Sequence, residues 1–296
     1  AYNLYMPDIR TTSVVFASPH SGREYPWSFV RRTILDEQTL RSSEDAFVDK
    51  LFDAAPLNGA PLLAAIAPRA WVDVNRSSDE LDPALIKDIK KTAHNPRVAS
   101  GLGVVPRVVA NGRSIYRGKI EQHEAQERID AFWTPWHDAL TTLMDDSVAL
   151  FGDAVLIDCH SMPHEAIESI SQPRGNRPEV VLGDRFGAAA GSDIVDKIEA
   201  AMTSAGLRVA RNAPFAGAFV TQNHGRPARN RHVVQVEIDR SLYMNEQGSS
   251  LEVPSYVADV IEEAEAGAEA AAEGEAEAEQ NVAESTSEET AEAAAS

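Results

Sequence analysis

The chain has 296 residues, 43% of them apolar and 25% charged, the composition of an ordinary globular protein with one large domain or two small ones. Its net charge of -19 is misleading: residues 262–296 hold twelve Glu and no Lys, Arg or Asp, and without them the charge is -7. This excludes the basic footprint of a nucleic-acid binder and opposes attraction to anionic membranes, and no stretch approaches the ~20 apolar residues of a membrane helix.

Cys159 is the only cysteine, so an intramolecular disulfide is excluded and a reducing, cytoplasmic compartment is expected. The N-terminus shows no signal-peptide pattern, and Ala1 stands where an initiator Met would.

In chain order, residues 1–12 read as irregular, and Val14–Ser18 is the first strand, running into Pro19-His20-Ser21-Gly22. Ser43-Glu44-Asp45 precedes a helical pattern from Ala46 to Phe52, where acidic residues suit the positive end of the helix dipole. Pro61 to Ala67 is a second apolar run. The following 68–78 segment alternates Val72 and Val74 with Asp73 and Asn75, which reads as a surface strand with one solvated face. Leu102 to Asn111 is strand or loop. Residues 119–147 have helical period, with an apolar stripe of Ile129, Phe132, Trp133, Trp136, Leu140 and Leu143 and a break or kink at Pro135.

The run from Ala154 to Ile157, entered from Gly152, reads as a buried strand that ends in Asp158-Cys159-His160-Ser161. A loop from Met162 to Arg177, a strand at 179–182, a helix at 193–204 closed by Gly206, and a strand at 207–210 follow. Residues 217–230 read as a polar loop, Val233 to Ile238 as a strand carrying Glu237, and residues 254–265 as a final helix. The expected organisation is one catalytic domain over 1–262 and an acidic Ala/Glu-rich tail over 263–296, which lacks the large apolar side chains needed to offset chain entropy.

Three strands thus deliver polar residues to one sheet edge, where α/β enzymes bind ligands. Hydrolytic zinc is held by three side chains, often two nitrogens and a carboxylate, with a nearby carboxylate handling the proton of water. His20 and His160 are the best nitrogen ligands, Asp45 (or its neighbour Glu44) the best carboxylate ligand, and Glu237 the best base. His164 can compete as a ligand, His224 and His232 can touch substrate, and His94, His123 and His137 read as structural or surface residues. Ser21 and Ser161 lie outside any Gly-x-Ser-x-Gly elbow, and Cys159 points away from His160 on a strand, so neither a serine nor a cysteine nucleophile is favoured. The spacings are not compact, so a structural role for each residue stays open beside the metal reading.

Pro19-His20-Ser21-Gly22, Asp45 with Phe47-Val48-Asp49, Asp73-Val74-Asn75-Arg76, Ile115-Tyr116-Arg117-Gly118, Pro135-Trp136-His137, Ile157 through Pro163, Thr221-Gln222 through Pro227, and Glu237-Ile238 with Arg240 through Met244 form an ordered set. This set resembles the N-formylglutamate amidohydrolase family over about residues 12 to 247. The resemblance implies an α/β fold of the zinc-exopeptidase (phosphorylase/hydrolase-like) type, a central mixed sheet flanked by helices. It implies hydrolysis of N-formyl-L-glutamate to formate and glutamate, the last step of one histidine-degradation route. It also supports His20, Asp45 and His160 as ligands of a divalent metal, zinc first, and Glu237 as base.

Two departures fall in the substrate half: Asn223-His224-Gly225 where the family often has His-Tyr-Gly, and Asp239 where it often has Asn. For a dicarboxylate, Arg76 is the first clamp expected, then Arg113 and Arg240. Asn75 and Thr221 are expected to hydrogen-bond the amide, and Asp73 and His224 complete the expected substrate contacts. Another N-acyl amino acid or a cell-wall peptide amide remains an alternative substrate. A metal- or ligand-binding protein without turnover remains an alternative of another class.

Overall fold

The computed structural model describes residues 1–90, 95–109, 112–168 and 177–245. Residues Ala1–Arg240 form one compact unit and Ser241–Ser296 a separate one. The expected helix at 254–265, the 262/263 domain boundary, the acidic tail and His94 lie outside the described residues.

The first unit is built on a seven-stranded mixed sheet of β1 (Tyr2–Tyr5), β2 (Val14–Ser18), β3 (Leu62–Ala65), β4 (Ala154–Met162), β5 (Val180–Gly183), β6 (Val209–Arg211) and β7 (Arg231–Asp239). Their order is β1-β3-β2-β4-β7-β5-β6. β3, β2, β4 and β7 run parallel, while β1 and β5 enter antiparallel to β3 and β7. The segment expected to be irregular at the N-terminus therefore contains an edge strand. β1 is short and largely exposed, so it lacks the buried apolar run that marks the central strands.

Alternation along β4 and β7 sorts their side chains. Leu156 and Val233 face one side, with Val15 and Leu63, against Trp136, Leu140 and Met144 of the long helix. Ile157, Cys159, Val234 and Val236 face the other side, against Val195 of a second helix. Each such large apolar side chain contributes roughly 1.5–3 kcal/mol through burial. Cys159 is fully buried in this core, as its place on the strand predicts.

The helices are α1 (Trp27–Val30), α2 (Glu37–Arg41), α3 (Val48–Leu51), α4 (Pro96–Ala99), α5 (Gln122–Arg128), α6 (Thr134–Phe151), α7 (His164–Glu168), α8 (Ser192–Ser204) and α9 (Phe219–His224). A π-helical turn, Ile129–Trp133, joins α5 to α6 immediately before Pro135. Pro135 cannot donate an N–H, and the wider turn is how the helix absorbs it without breaking. The expected loop at 217–230 instead contains α9 and a 3-10 turn, Pro227–Arg229, and the loop after Met162 contains α7. No helix among the described residues is long and apolar enough to cross a membrane.

Candidate metal and active site

The parallel strands β2, β4 and β7 end at one edge of the sheet. In β4 and β7 the face that is apolar lower down turns polar here: Asp158 and His160 stand in register with Gln235 and Glu237. β2 runs into the Pro19-His20-Ser21-Gly22 turn, closed by a Ser18–Ser21 hydroxyl contact of 2.8 Å. Gly22 is required there because a Cβ would lie 2.1 Å from the Ala67 carbonyl oxygen. The Asp45 N–H donates to the His20 carbonyl at 3.0 Å. Two residues on, Phe47 is held in the left-handed region at φ 64, a strained conformation of the kind that collects at functional sites.

These turns bring three side chains to one point. Asp45 Oδ2 lies 3.3 Å from His20 Nδ1 and 2.9 Å from His160 Nδ1. One ligand atom from each of the three residues falls within 4.8 Å of the others, and all three are buried. Glu44, the alternative carboxylate, turns away to accept from Tyr25 at 2.7 Å and Arg41 at 3.1 Å.

The outer ring nitrogens are held from behind. His20 Nε2–H donates to Asp73 Oδ1 at 2.8 Å, which leaves Nδ1 as the lone-pair nitrogen facing Asp45. His160 Nε2 lies 3.1 Å from the Asn75 amino group and 3.2 Å from Asp158 Oδ1. The Val220 N–H donates to Asn75 Oδ1 at 2.8 Å and fixes that amide's orientation. Asp158 is fully buried and its oxygens have no well-directed hydrogen bond among the described residues, so it favours a proton on Nε2. Carboxylate-backed imidazoles of this kind are how metal-binding histidines are oriented.

Charge says the same. Burial alone pushes Asp45 up, but the hydrogen bond from the His160 ring and the nearness of both imidazoles outweigh it and hold the carboxyl well below its usual range. Burial opposes charge on His160 too, yet Asp158 and Asp45 outweigh it and raise that ring well above its ordinary value. Burial, helped by Asp45 and Asp158 against the pull of His160 and Arg69, raises Glu237 to about 7. Four buried carboxylates, Asp45, Asp73, Asp158 and Glu237, thus surround the two imidazoles; Arg240 and Arg69 answer only Asp45 and Asp73, and a proton on His160 supplies a further cation when no metal is bound. Two nitrogens and one carboxylate oxygen are a donor set that fits a divalent metal.

The cluster forms the floor of a cavity of about 420 Å³. Of the residues expected at the site, His20, Asp45, Asp73, Asn75, Arg76, His160, Glu237 and Arg240 all line it. Asp73 and Asn75 are buried at 2% exposure each, which corrects the solvated-strand reading: residues 71–76 form turns, not a strand. Arg240 donates to Asp45 Oδ1 at 3.0 Å and to Ser161 at 3.1 Å, so it braces the ligand carboxylate.

Three expected contacts are not brought to the cavity. Arg113 is exposed and donates to Thr39 at 2.9 Å. Thr221 is buried and donates to the Ala218 carbonyl at 2.7 Å, which turns its hydroxyl back into α9. His224 stacks on His137 with Nε2 3.1 Å from Nδ1. His164 pairs with Asp239 at 2.8 Å and His232 accepts from the Gly191 N–H at 3.0 Å, so neither joins the cluster.

Arg69, Arg97, Asp158 and Gln235 escaped the sequence reading. Gln235 donates to Glu237 at 2.7 Å and accepts from the Ala218 N–H at 3.0 Å, which fixes the carboxylate. Two-residue spacing signalled Asp158 and Gln235, each on the face of the residue it supports. Arg69 donates to Asp73 Oδ2 at 2.9 Å. Arg69 sits in an irregular turn and Arg97 in the four-residue α4, too short for periodicity to mark its direction.

One helical run holds the 71–76 turns in place. His137 Nε2–H donates to the Val74 carbonyl at 2.8 Å, Trp133 Nε1–H to the Arg76 carbonyl at 2.8 Å, and Arg128 to the Trp71 carbonyl at 3.3 Å. The π turn sets the spacing of these three donors, and backbone groups without strand partners are thereby satisfied.

A sequence model of the N-formylglutamate amidohydrolase family matches residues 12–244. N-formylglutamate deformylase of Pseudomonas aeruginosa PAO1 is 29% identical over 256 residues, covering 86% of this chain and 88% of the relative. The Pseudomonas putida enzyme of that name is 26% identical over 237 residues, covering 79% and 82%. Among solved structures, N-formylglutamate amidohydrolase from Ralstonia eutropha JMP134 superposes with a TM-score of 0.79 at 35% identity, covering 85% of this chain and 91% of that one. A gene product of Agrobacterium tumefaciens at 17% identity shares the fold, with a TM-score of 0.58 and coverage of 83% and 88%. With the motifs falling on the cluster and the match spanning strands β2 to β7, the chain belongs to the N-formylglutamate amidohydrolase family.

Proposed function

We propose that this protein hydrolyses the formyl amide of N-formyl-L-glutamate, releasing formate and L-glutamate, and that it does so with a divalent metal, zinc by its donor set, held by His20, Asp45 and His160. The observation that carries the reading is the convergence of both imidazole Nδ1 atoms on Asp45 Oδ2 beside Glu237, at the floor of an arginine-lined cavity. When bound, the metal supplies Lewis acidity toward the acyl oxygen and lowers the pKa of water to ~7.

The chain's own residues do the rest. Glu237 takes a proton from the attacking water and returns it to the departing amine, a double duty suited to a carboxyl raised by burial to about 7. Gln235 fixes its orientation through the 2.7 Å contact. Asp73 and Asp158 hold the imidazoles from behind, and Arg240 holds Asp45. Arg76, with Arg69 beside it, gives the inner cavity the positive charge that a substrate carboxylate needs. Asn75 is anchored by the Val220 N–H, which turns its amino group against the His160 ring at 3.1 Å, so it packs on the ring rather than reaching the amide. The resemblance supports a place at the end of a histidine-degradation route, and the lone buried Cys159 fits a reducing, cytoplasmic compartment.

The test is formate release from N-formyl-L-glutamate compared with acetate release from N-acetyl-L-glutamate. Turnover of the formyl compound with little of the acetyl one supports the reading; the reverse order sinks it.

A further inference from the structure

Four arginines line the cavity, and three are already committed to carboxylates of the protein. Arg69 donates to Asp73 at 2.9 Å, Arg76 lies 3.9 Å from the same carboxylate, and Arg240 donates to Asp45 at 3.0 Å. Arg76 spends further donors on the carbonyls of Asn75 at 2.8 Å and Leu102 at 3.1 Å. The Arg97 guanidinium makes no hydrogen bond or ion pair among the described residues. It stands on α4, whose N-cap Asn95 accepts from the Arg97 and Val98 N–H groups, so its backbone is anchored while its side chain is uncommitted.

Depth separates it from the others as well. The floor residues His20, Asp45 and His160 are each 2% exposed, whereas Arg97 is exposed at the mouth. A substrate entering acyl end first leaves its side chain pointing outward, toward this rim. We propose that Arg97 is a specificity-determining residue that pairs with the side-chain carboxylate of an N-formyl dicarboxylic amino acid, distinguishing it from neutral side chains of the same size. The inference rests on the deformylase reading above. An arginine free of protein carboxylates gains a partner only when the substrate brings one, so binding is favoured without an internal ion pair having to break.

The experiment compares kcat/KM for N-formyl-L-glutamate and its neutral isostere N-formyl-L-glutamine in the wild type, Arg97→Gln and Arg97→Lys, all metal-loaded. The wild type is expected to prefer the dicarboxylate, and Arg97→Gln to cut that preference by about tenfold, mainly through KM, as loss of a charge-assisted contact does. Arg97→Lys is expected to restore part of it, since it keeps the charge without the fork. A purely structural position would lower both substrates together and leave the ratio alone. A wild-type preference that Arg97→Gln keeps overturns the assignment of Arg97 while leaving the deformylase reading intact. A wild type with no turnover of the dicarboxylate overturns both.

Discussion

His137 offers the sharpest test of how the site is held. Its Nε2–H reaches the Val74 carbonyl at 2.8 Å, so in the neutral ring Nδ1 is the acceptor, and the His224 Nε2–H fills it at 3.1 Å. Both rings are buried at 5% exposure and Val74 at 3%. His137→Leu keeps the apolar volume but orphans the buried Val74 carbonyl, while His224 Nε2 keeps the Asn223 amide 3.3 Å away as a partner. That orphan and the lost bond should cost the variant about 1–3 kcal/mol of stability. That is a measurable share of the ~5–15 kcal/mol a domain commonly has.

The pair also sets an acid limit. Burial, aided by His224, lowers His137 to about 3, and burial, only partly offset by Asp158, lowers His224 to about 4. Both are neutral in the folded protein, while the unfolded chain takes up protons through ~6.5. Their contribution is therefore complete above ~6.5 and is lost as pH falls toward 4 and 3, by about 1.4 kcal/mol per pH unit for each ring. Urea unfolding of the wild type and His137→Leu between pH 4.5 and 8 reads both effects. A variant as stable as wild type at pH 8, with an unchanged acid slope, would refute the reasoning.

Other variants separate ligands, base and core. Glu237→Gln should retain stoichiometric metal and lose at least ~100-fold in kcat, measured by metal analysis beside formate release; metal loss would make Glu237 a ligand. Asp73→Ala removes the carboxylate behind His20 and should weaken metal binding about 10–100-fold in chelator competition, an effect absent if Nε2 needs no partner. Cys159→Ala should keep formate release within about twofold, since the thiol packs among Ile157, Val234 and Val236; loss of turnover in folded protein would reopen thiol chemistry.

The sheet and the convergence of His20, Asp45 and His160 were legible because their signals are local. Val14–Ser18, Ala154–Met162 and Arg231–Asp239 are apolar runs ending in polar residues, and parallel pairing turns those ends into one edge. The segment 68–120 was not legible in the same way. Its buried residues, among them Val72, Leu85, Val104 and Ile115, form a core without regular period, so exposure could not be read from alternation. Asp73 and Asn75 looked like a solvated face for that reason, although they are buried behind the two histidines. The arginines were equally opaque: direction in a loop is set by contacts such as Trp133 to Arg76, more than fifty residues away in sequence. Thr221 and His224 were assigned from a loop that is in fact α9; as an i,i+3 pair they share one helix face, and that face is buried in the protein rather than turned to the cavity.

The central claim is a metal-dependent deformylase centred on His20, Asp45 and His160. Formate release from N-formyl-L-glutamate, with metal-loaded and chelated protein side by side, tests it most directly. The account predicts release that chelation abolishes and added divalent metal restores. Equal release from fully metal-stripped protein would contradict the metal's role, and no release from protein carrying one metal per chain would contradict the substrate.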